Sequence, residues 1–199
     1  FRAIPSPGPG ISWFEIDKLG FNEQFFSVLS LLSSVLTLFG ILILRPFISR
    51  NSIAKVIVVL SVAGAVLFLP SIGMYYGFHN WTASISAGII DAKFIAIINT
   101  ALESPLGQVA MIPLLAWIAK NAPSNMKATF FAVFASFTNL ALSASALLTK
   151  YLNEIFVVTR EVRNKVTSAI VSAADYSDLG LLLIAVAILT LALPIGVVF

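Results

Sequence analysis

The chain has no cysteine and one histidine, His79, which excludes disulfides, thiol chemistry and a metal site built from Cys and His. Charge is scarce as well. Asp, Glu, Lys and Arg make up 11% of the residues, where soluble domains carry about 25%. With 59% hydrophobic residues there is too little polar surface to coat a soluble globule. The net charge of +3 is scattered over loops rather than gathered on one face, which argues against a nucleic-acid partner. No nucleophile, base and orienting group can be placed together, so neither an enzyme nor a cofactor is expected. No basic stretch precedes a short apolar segment at the start, so a cleavable signal peptide is not visible. The chain opens at Phe1-Arg2 without an initiator Met, and we read it as a fragment.

What the sequence does have is uncharged apolar runs of about twenty residues, the length that crosses a hydrocarbon core at about 1.5 Å per helical residue. Lipid offers backbone groups no hydrogen bonds, so these runs must be helices, and the alternation of a membrane barrel is absent. The expected fold class is all-α, a polytopic bundle in a bilayer. The clearest spans are Phe25 to Leu44, Val56 to Tyr76, Ala128 to Leu148 and Leu179 to Phe199. Ile85 to Ala119 reads as one long, tilted helix kinked at Pro105 and Pro113. Phe1 to Lys18, with Pro5, Pro7, Gly8, Pro9 and Gly10, reads as the end of a broken helix. In one-domain terms the spans are about 1–17 (partial), 24–46, 53–76, 85–119, 126–150 and 179–199.

Breaker or cap residues mark turns at Leu19 to Asn22, Arg45 to Arg50, Gly77 to Trp81 and Ala122 to Asn125. Val158, Val162, Val166 and Ile170 recur every four residues among Arg160, Glu161, Arg163 and Lys165, predicting an amphipathic surface helix within 153–178. Arg45, Arg50 and Lys55 mark one loop as cytoplasmic, and Lys120 with Lys127 mark another two spans later. The His79 loop then faces outward. Antiparallel order also puts 153–178 outside, against its own Lys150, Arg160, Arg163 and Lys165.

Ionisable residues inside a bilayer cost several kcal/mol and mark functional positions by default. The predicted long helix carries Asp91, Lys93 and Glu103. On a continuous helix Glu103 falls about 27 Å from Ile85 and about 24 Å from Ala119, near mid-membrane. Asn99 shares its face one turn away, with Thr100 beside it, and Ser104-Pro105-Leu106-Gly107-Gln108 follows as a loosened stretch of the kind where transporters place their sites. A protonatable Glu103 would exchange a proton between two aqueous sides; the alternative is a neutral, hydrogen-bonded Glu103 that ties the kink together. Asp91 and Lys93 point to different faces, and for them interfacial anchoring or an ion pair to another helix stands beside a role in the site. Arg2 suits a substrate carboxylate, or a bridge to an acid elsewhere. Asn139 and Thr138 lie mid-span where Ala128, Ala132 and Ser136 fit close helix packing, and their polar atoms are open to lining a cavity. Trp13, Trp81 and Trp117 read as an interfacial belt. Asn80-Trp81-Thr82 fits a glycosylation sequon.

Several ordered motifs carry a family resemblance. Leu19-Gly20-Phe21, then Phe25 or Phe26 at the head of a span, then Leu106-Gly107-Gln108-Val109-Ala110-Met111-Ile112-Pro113-Leu114-Leu115 come first. Ala122-Pro123, Lys127-Ala128-Thr129-Phe130-Phe131-Ala132 and Ser136-Phe137-Thr138-Asn139-Leu140 follow. Together they resemble the folate-biopterin transporter family of the major facilitator superfamily, over most of the stretch from Phe1 to Leu152. The resemblance implies a carrier of two six-helix bundles, with this chain as the C-terminal half, its first helix cut, and the N-terminal half as its partner. Gly40-Ile41-Leu42-Ile43-Leu44-Arg45 keeps the Gly, Leu and Arg of the superfamily's cytoplasmic signature; Leu44 replaces the acid, leaving Arg45 and Arg50 to anchor the loop. The expected function is proton-coupled secondary transport, by symport, of a small organic anion such as folate or a pteridine, in a plasma or inner membrane. The competing reading is a membrane binding or assembly protein that keeps the fold and holds a partner through 153–178.

Overall fold

The structure, a computed structural model, describes residues 2–107, 111–164 and 169–198. Its helices are α1 (Gly10–Asp17), α2 (Glu23–Arg50), α3 (Ile53–Tyr75), α4 (Phe78–Ile85), α5 (Ala92–Gly107), α6 (Met111–Asn121), α7 (Lys127–Ile155) and α8 (Leu179–Val198). Two short strands, β1 (Val162–Arg163) and β2 (Ile170–Ser172), pair antiparallel. α2 and α3 start where a polar side chain accepts one of the first free backbone N–H groups: Asn22 accepts from Phe25 at 2.8 Å, and Ser52 from Lys55 at 3.3 Å. α2, α3, α7 and α8 are each long and apolar enough to cross a bilayer. The protein is an all-α, multi-pass integral membrane protein.

α3 is the hub. One side packs on α8 and another on α5, while α2 lies along α5. α7 lies against α6 and the extended segment ahead of α1, and its Leu152 packs on the buried cluster around α8. That segment is stitched to α7 by Ser145 donating to the Ile4 carbonyl at 2.6 Å, Ser6 N–H to Thr149 Oγ1 at 2.9 Å, and Asn153 to the Pro7 carbonyl at 3.2 Å.

Three sequence expectations change. Ile85 to Ala119 is not one helix: the chain reverses after α4 through Ser86 to Ile90, with Ala87 (φ 53) and Gly88 (φ 87) left-handed, and α5 begins at Ala92. The region 153–178 is not an amphipathic helix. α7 ends at Ile155, and beyond it the chain forms the β1–β2 hairpin, extended by a Thr159–Asp175 bridge. Val162 and Ile170 of that series are β-branched, and with Ser172 and Arg163 as cross-strand partners they sit in the ladder rather than on a helix. Arg45 to Arg50 is not a turn either: α2 runs through Pro46 to Arg50, and the break comes at Asn51-Ser52. Lys165 and Val166 lie outside the described residues.

Candidate functional site

α2 and α5 meet at both ends through apolar side chains. At one end Phe21, Ala92 and Ala96 are buried with Phe25, Phe26, Leu29 and Ile95. At the other, Leu44, Phe47, Ile48 and Leu106 pack on Val56 and Leu60 of α3. Between these seals the helices part, leaving a cleft of about 500 Å³ lined by Leu29, Ser30, Ser33, Thr37, Thr100, Glu103 and Ser104. One carboxyl and five hydroxyls thus share a cavity of a size that takes small molecules, which is about 300–1,000 Å³.

The lower rim of the cleft is set by Gly40. A methyl at Gly40 would stand 2.4 Å from Pro105 Cα, so only glycine lets the two backbones approach there. Pro105 lacks an N–H, and the stretch around it is bonded by side chains instead: Ser104 Oγ donates to the Thr100 carbonyl at 2.5 Å, and Thr37 Oγ1 to the Ser104 carbonyl at 3.0 Å. Hydroxyls in these helices ordinarily bond back one turn, as Ser27, Ser34 and Ser61 do. Ser30, Ser33 and Thr100 do not. Among the described residues their hydroxyls have no partner, so they are left facing the cleft with free donors and acceptors.

Asn99 donates to Glu103 Oε2 over a long 3.4 Å, and its own Oδ1 is buried without a partner among the described residues. The pair therefore sits together as the helical spacing predicted, with spare hydrogen-bonding capacity. The other sequence candidates are dispersed. Asp91 caps α5, accepting from Phe94 N–H at 2.8 Å, and Lys93 stands over the Phe25 ring at 5.9 Å. Both lie at the end of α5, about 15–18 Å from Glu103 at 1.5 Å per residue. Arg2 is half-buried in the turn before Ile4 and forms no ion pair among the described residues. Asn139 is exposed on α7, its carbonyl accepting from Ser143 at 3.1 Å. Neither lines the cleft. Gln108 lies outside the described residues. Arg45 and Arg50 are exposed on the last turns of α2, while Gly40 serves helix packing.

Sequence reasoning passed over Ser30, Ser33 and Thr37. Their signal was spacing: positions 30, 33, 37 and 40 fall on one face of a helix, all small or hydroxylated within an otherwise apolar span. A second polar cluster was also missed because Asp17 lies 143 or more residues from its partners. Asp17, at the end of α1, accepts from Arg160 Nη2 at 3.2 Å and from the Tyr176 hydroxyl at 2.5 Å, one residue on each limb of the hairpin. Tyr75 at the end of α3 donates to the carbonyls of Tyr176 and Ser177 at 2.9 and 3.0 Å. Arg163 pairs with Glu161, and Lys150 with Glu154 at 3.5 Å. The basic residues described in 150–178 are thus each matched by an acid.

The sequence profile of the BT1 family matches residues 10–199. The chain belongs to the BT1 family. The cleft, the hairpin and every helix described above lie within the matched BT1 stretch. Over 156 residues the chain is 26% identical to a protein named folate-biopterin transporter from Synechocystis sp., covering 76% of this chain and 30% of that protein. Over 165 residues it is 24% identical to a protein named "Putative folate transporter 2" from Plasmodium berghei, covering 78% of this chain and 34% of that protein. The match thus spans about a third of the length of these curated BT1 relatives. No solved structure matches the chain.

Proposed function

We propose that this chain forms one side of the translocation path of a secondary carrier for a small organic anion, folate or a pteridine being the type its relatives' names indicate. The observation that carries this reading is the hydroxyl-lined cleft at Glu103. Three hydroxyls without a partner among the described residues and an acid, between two apolar seals, form an open polar groove that a packing role does not require. Glu103 takes up a proton from one side and gives it to the other as the bundle rocks against a second bundle of the same protein, the arrangement of the major facilitator superfamily. The Asn99 amide holds the carboxyl at the cleft in either protonation state, since an amide both donates and accepts. The rival reading, an assembly protein that uses 153–178 as an arm for a partner, is weakened by the docking of that hairpin on α1 and α3 of its own chain.

The test is uptake of labelled folate and related anions into proteoliposomes containing the full-length protein, with and without a proton gradient, for wild type and Glu103→Gln. Gradient-driven uptake falling by two orders of magnitude or more in Glu103→Gln, with unchanged thermal stability, is the expected result. Uptake in Glu103→Gln that still follows the gradient would reduce Glu103 to a structural residue, and no uptake of any anion by wild type would remove the carrier reading.

A further inference from the structure

A second recess, of about 480 Å³, lies at the opposite end of α3 from the Arg50–Lys55 turn, the end that the basic-residue pattern assigns outward. Phe14 and Tyr75 form a wall with ring centroids 5.4 Å apart, and Tyr176 stands edge-on to Phe14 at 5.7 Å. The two hydrogen bonds from Tyr75 to backbone carbonyls fix that wall. Lys18, His79, Asn80 and Asp175 supply its polar groups.

Two of these groups are unspent. His79 Nδ1 is buried and has no hydrogen-bond partner among the described residues. Lys18 forms no ion pair among the described residues, because the neighbouring Asp17 is already taken by Arg160 and Tyr176. A cation and an orphaned ring nitrogen beside an aromatic wall are the complement of an aromatic carboxylate. Asp175 faces the same space and accepts the Ser177 N–H at 2.9 Å, so it repels a polyanion and favours a ligand that also carries N–H donors.

We infer that this recess is a peripheral binding site, separate from the Glu103 cleft, for an aromatic molecule bearing one carboxylate and an amino or ring N–H group. Lys18 takes the carboxylate, His79 Nδ1 completes a hydrogen bond to it or to a ligand N–H, and Asp175 accepts from the ligand's amino group. The inference goes beyond the carrier reading and does not depend on it: the recess lies at the outer end of the bundle, apart from the cleft.

The test is equilibrium binding of labelled 4-aminobenzoate to the full-length protein in nanodiscs, alongside uptake in proteoliposomes. Loss of a charge-assisted contact predicts affinity about tenfold or more weaker in Lys18→Gln, restored in Lys18→Arg, and weakened again in His79→Phe. Asp175→Asn weakens 4-aminobenzoate binding but not benzoate binding. Lys18 is exposed, so Lys18→Gln leaves folding intact. Wild-type affinity in both Lys18→Gln and His79→Phe, or no saturable binding by wild type, would overturn the site. The two readings fail separately: binding lost in Lys18→Gln with no uptake of any anion by wild type removes the carrier and keeps the recess, whereas uptake with unaltered binding removes the recess and keeps the carrier.

Discussion

The seam between α3 and α8 and the seam between α2 and α5 are both contacts of apolar membrane helices, yet they are built by opposite rules. Along α8, Leu179, Leu182, Leu183 and Val186 are at most 3% exposed and pack on Phe68, Ile72 and Tyr75 of α3 and on Phe14 of α1. Gly180 lets the Tyr75 ring lie so close to the α8 backbone that a methyl there would stand 2.4 Å from it. Lipid supplies no hydrophobic drive between helices, so along its length this seam is held by close packing, with the Tyr75 hydroxyl bonded to backbone carbonyls at the head of α8. The α2–α5 seam keeps such packing only at its two ends and at Gly40. Its middle gives up dispersion contacts to expose hydroxyls and a carboxyl. On the proposed reading, the α2–α5 seam leaves its centre open to a ligand, whereas α3–α8 is closed along its length.

The largest expected effect tests the closed seam. Leu183→Ala removes a buried side chain where nothing can collapse into the space, and it should destabilise the protein by about 2–4 kcal/mol. Thermal or denaturant unfolding in detergent checks this, and a loss below about 1 kcal/mol would mean that the seam is not close-packed. Next is Gly40→Val, which forces α2 off Pro105. Overpacking of this kind costs about 1–3 kcal/mol and should also abolish uptake by displacing Thr37 and Ser33 from Glu103. If Gly40→Val leaves both stability and uptake as in wild type, the point of contact that defines the cleft's rim is not maintained in the membrane.

How far this contrast could be read from the sequence depends on the kind of signal. α2, α3, α7 and α8 announce themselves by length and apolarity, because the bilayer imposes both. The Asn99–Glu103 pair follows from helical spacing alone. The break before α5 was legible only in hindsight: Gly88 and the capping Asp91 are helix-boundary residues, but Asp91 read as an intramembrane charge because a continuous helix was assumed. The serines of α2 showed their common face by spacing but not their bonding state. A serine in a membrane helix is ordinarily satisfied by its own backbone, and only the structure shows which ones are not. Asp17, Arg160 and Tyr176 share no periodicity, so nothing short of the tertiary fold brings them together.

That last cluster gives a smaller effect, set outside both seams. The Tyr176 hydroxyl first, and Arg160 after it, hold the Asp17 carboxyl below the ordinary aspartate range. Burial, then the Asp17 carboxylate, push the Tyr176 hydroxyl up to about 12. A lowered acid stabilises the fold above its unfolded pKa of about 3.9 and loses that contribution as pH falls through the folded value. A raised tyrosine stabilises it below about 10 and loses that contribution as pH rises toward 12. The hairpin's attachment should therefore be firmest between about pH 5 and pH 9. Asp17 and Arg160 are partly exposed, so solvent screening limits the pair to about 1 kcal/mol or less. Hydrogen exchange of the Thr159 and Asp175 amides, which bond each other's carbonyls at 2.9 Å, reads it directly. Exchange should quicken several-fold in Asp17→Asn and in Tyr176→Phe, and unchanged exchange in both would show that the hairpin is held by its backbone alone.

The smallest expected change in stability is the sharpest test of the contrast. Ser33 lines the cleft, and its hydroxyl has no partner among the described residues, so Ser33→Ala removes no bond and opens no cavity in a packed interface. Polar side chains between membrane helices are worth about 0.6 kcal/mol on average even when bonded, and an unbonded one should be worth less. Ser33→Ala should thus unfold within about 0.5 kcal/mol of wild type. Its transport should nonetheless change, because the free hydroxyl is what a ligand or its hydration water would meet: KM for the transported anion should rise several-fold, and further when Ser30→Ala is added. A structural serine would give the reverse pattern, with stability lost and KM unmoved. If Ser33→Ala cost as much stability as Leu183→Ala, the two seams would be alike and the opening between α2 and α5 would be a packing irregularity rather than a chamber.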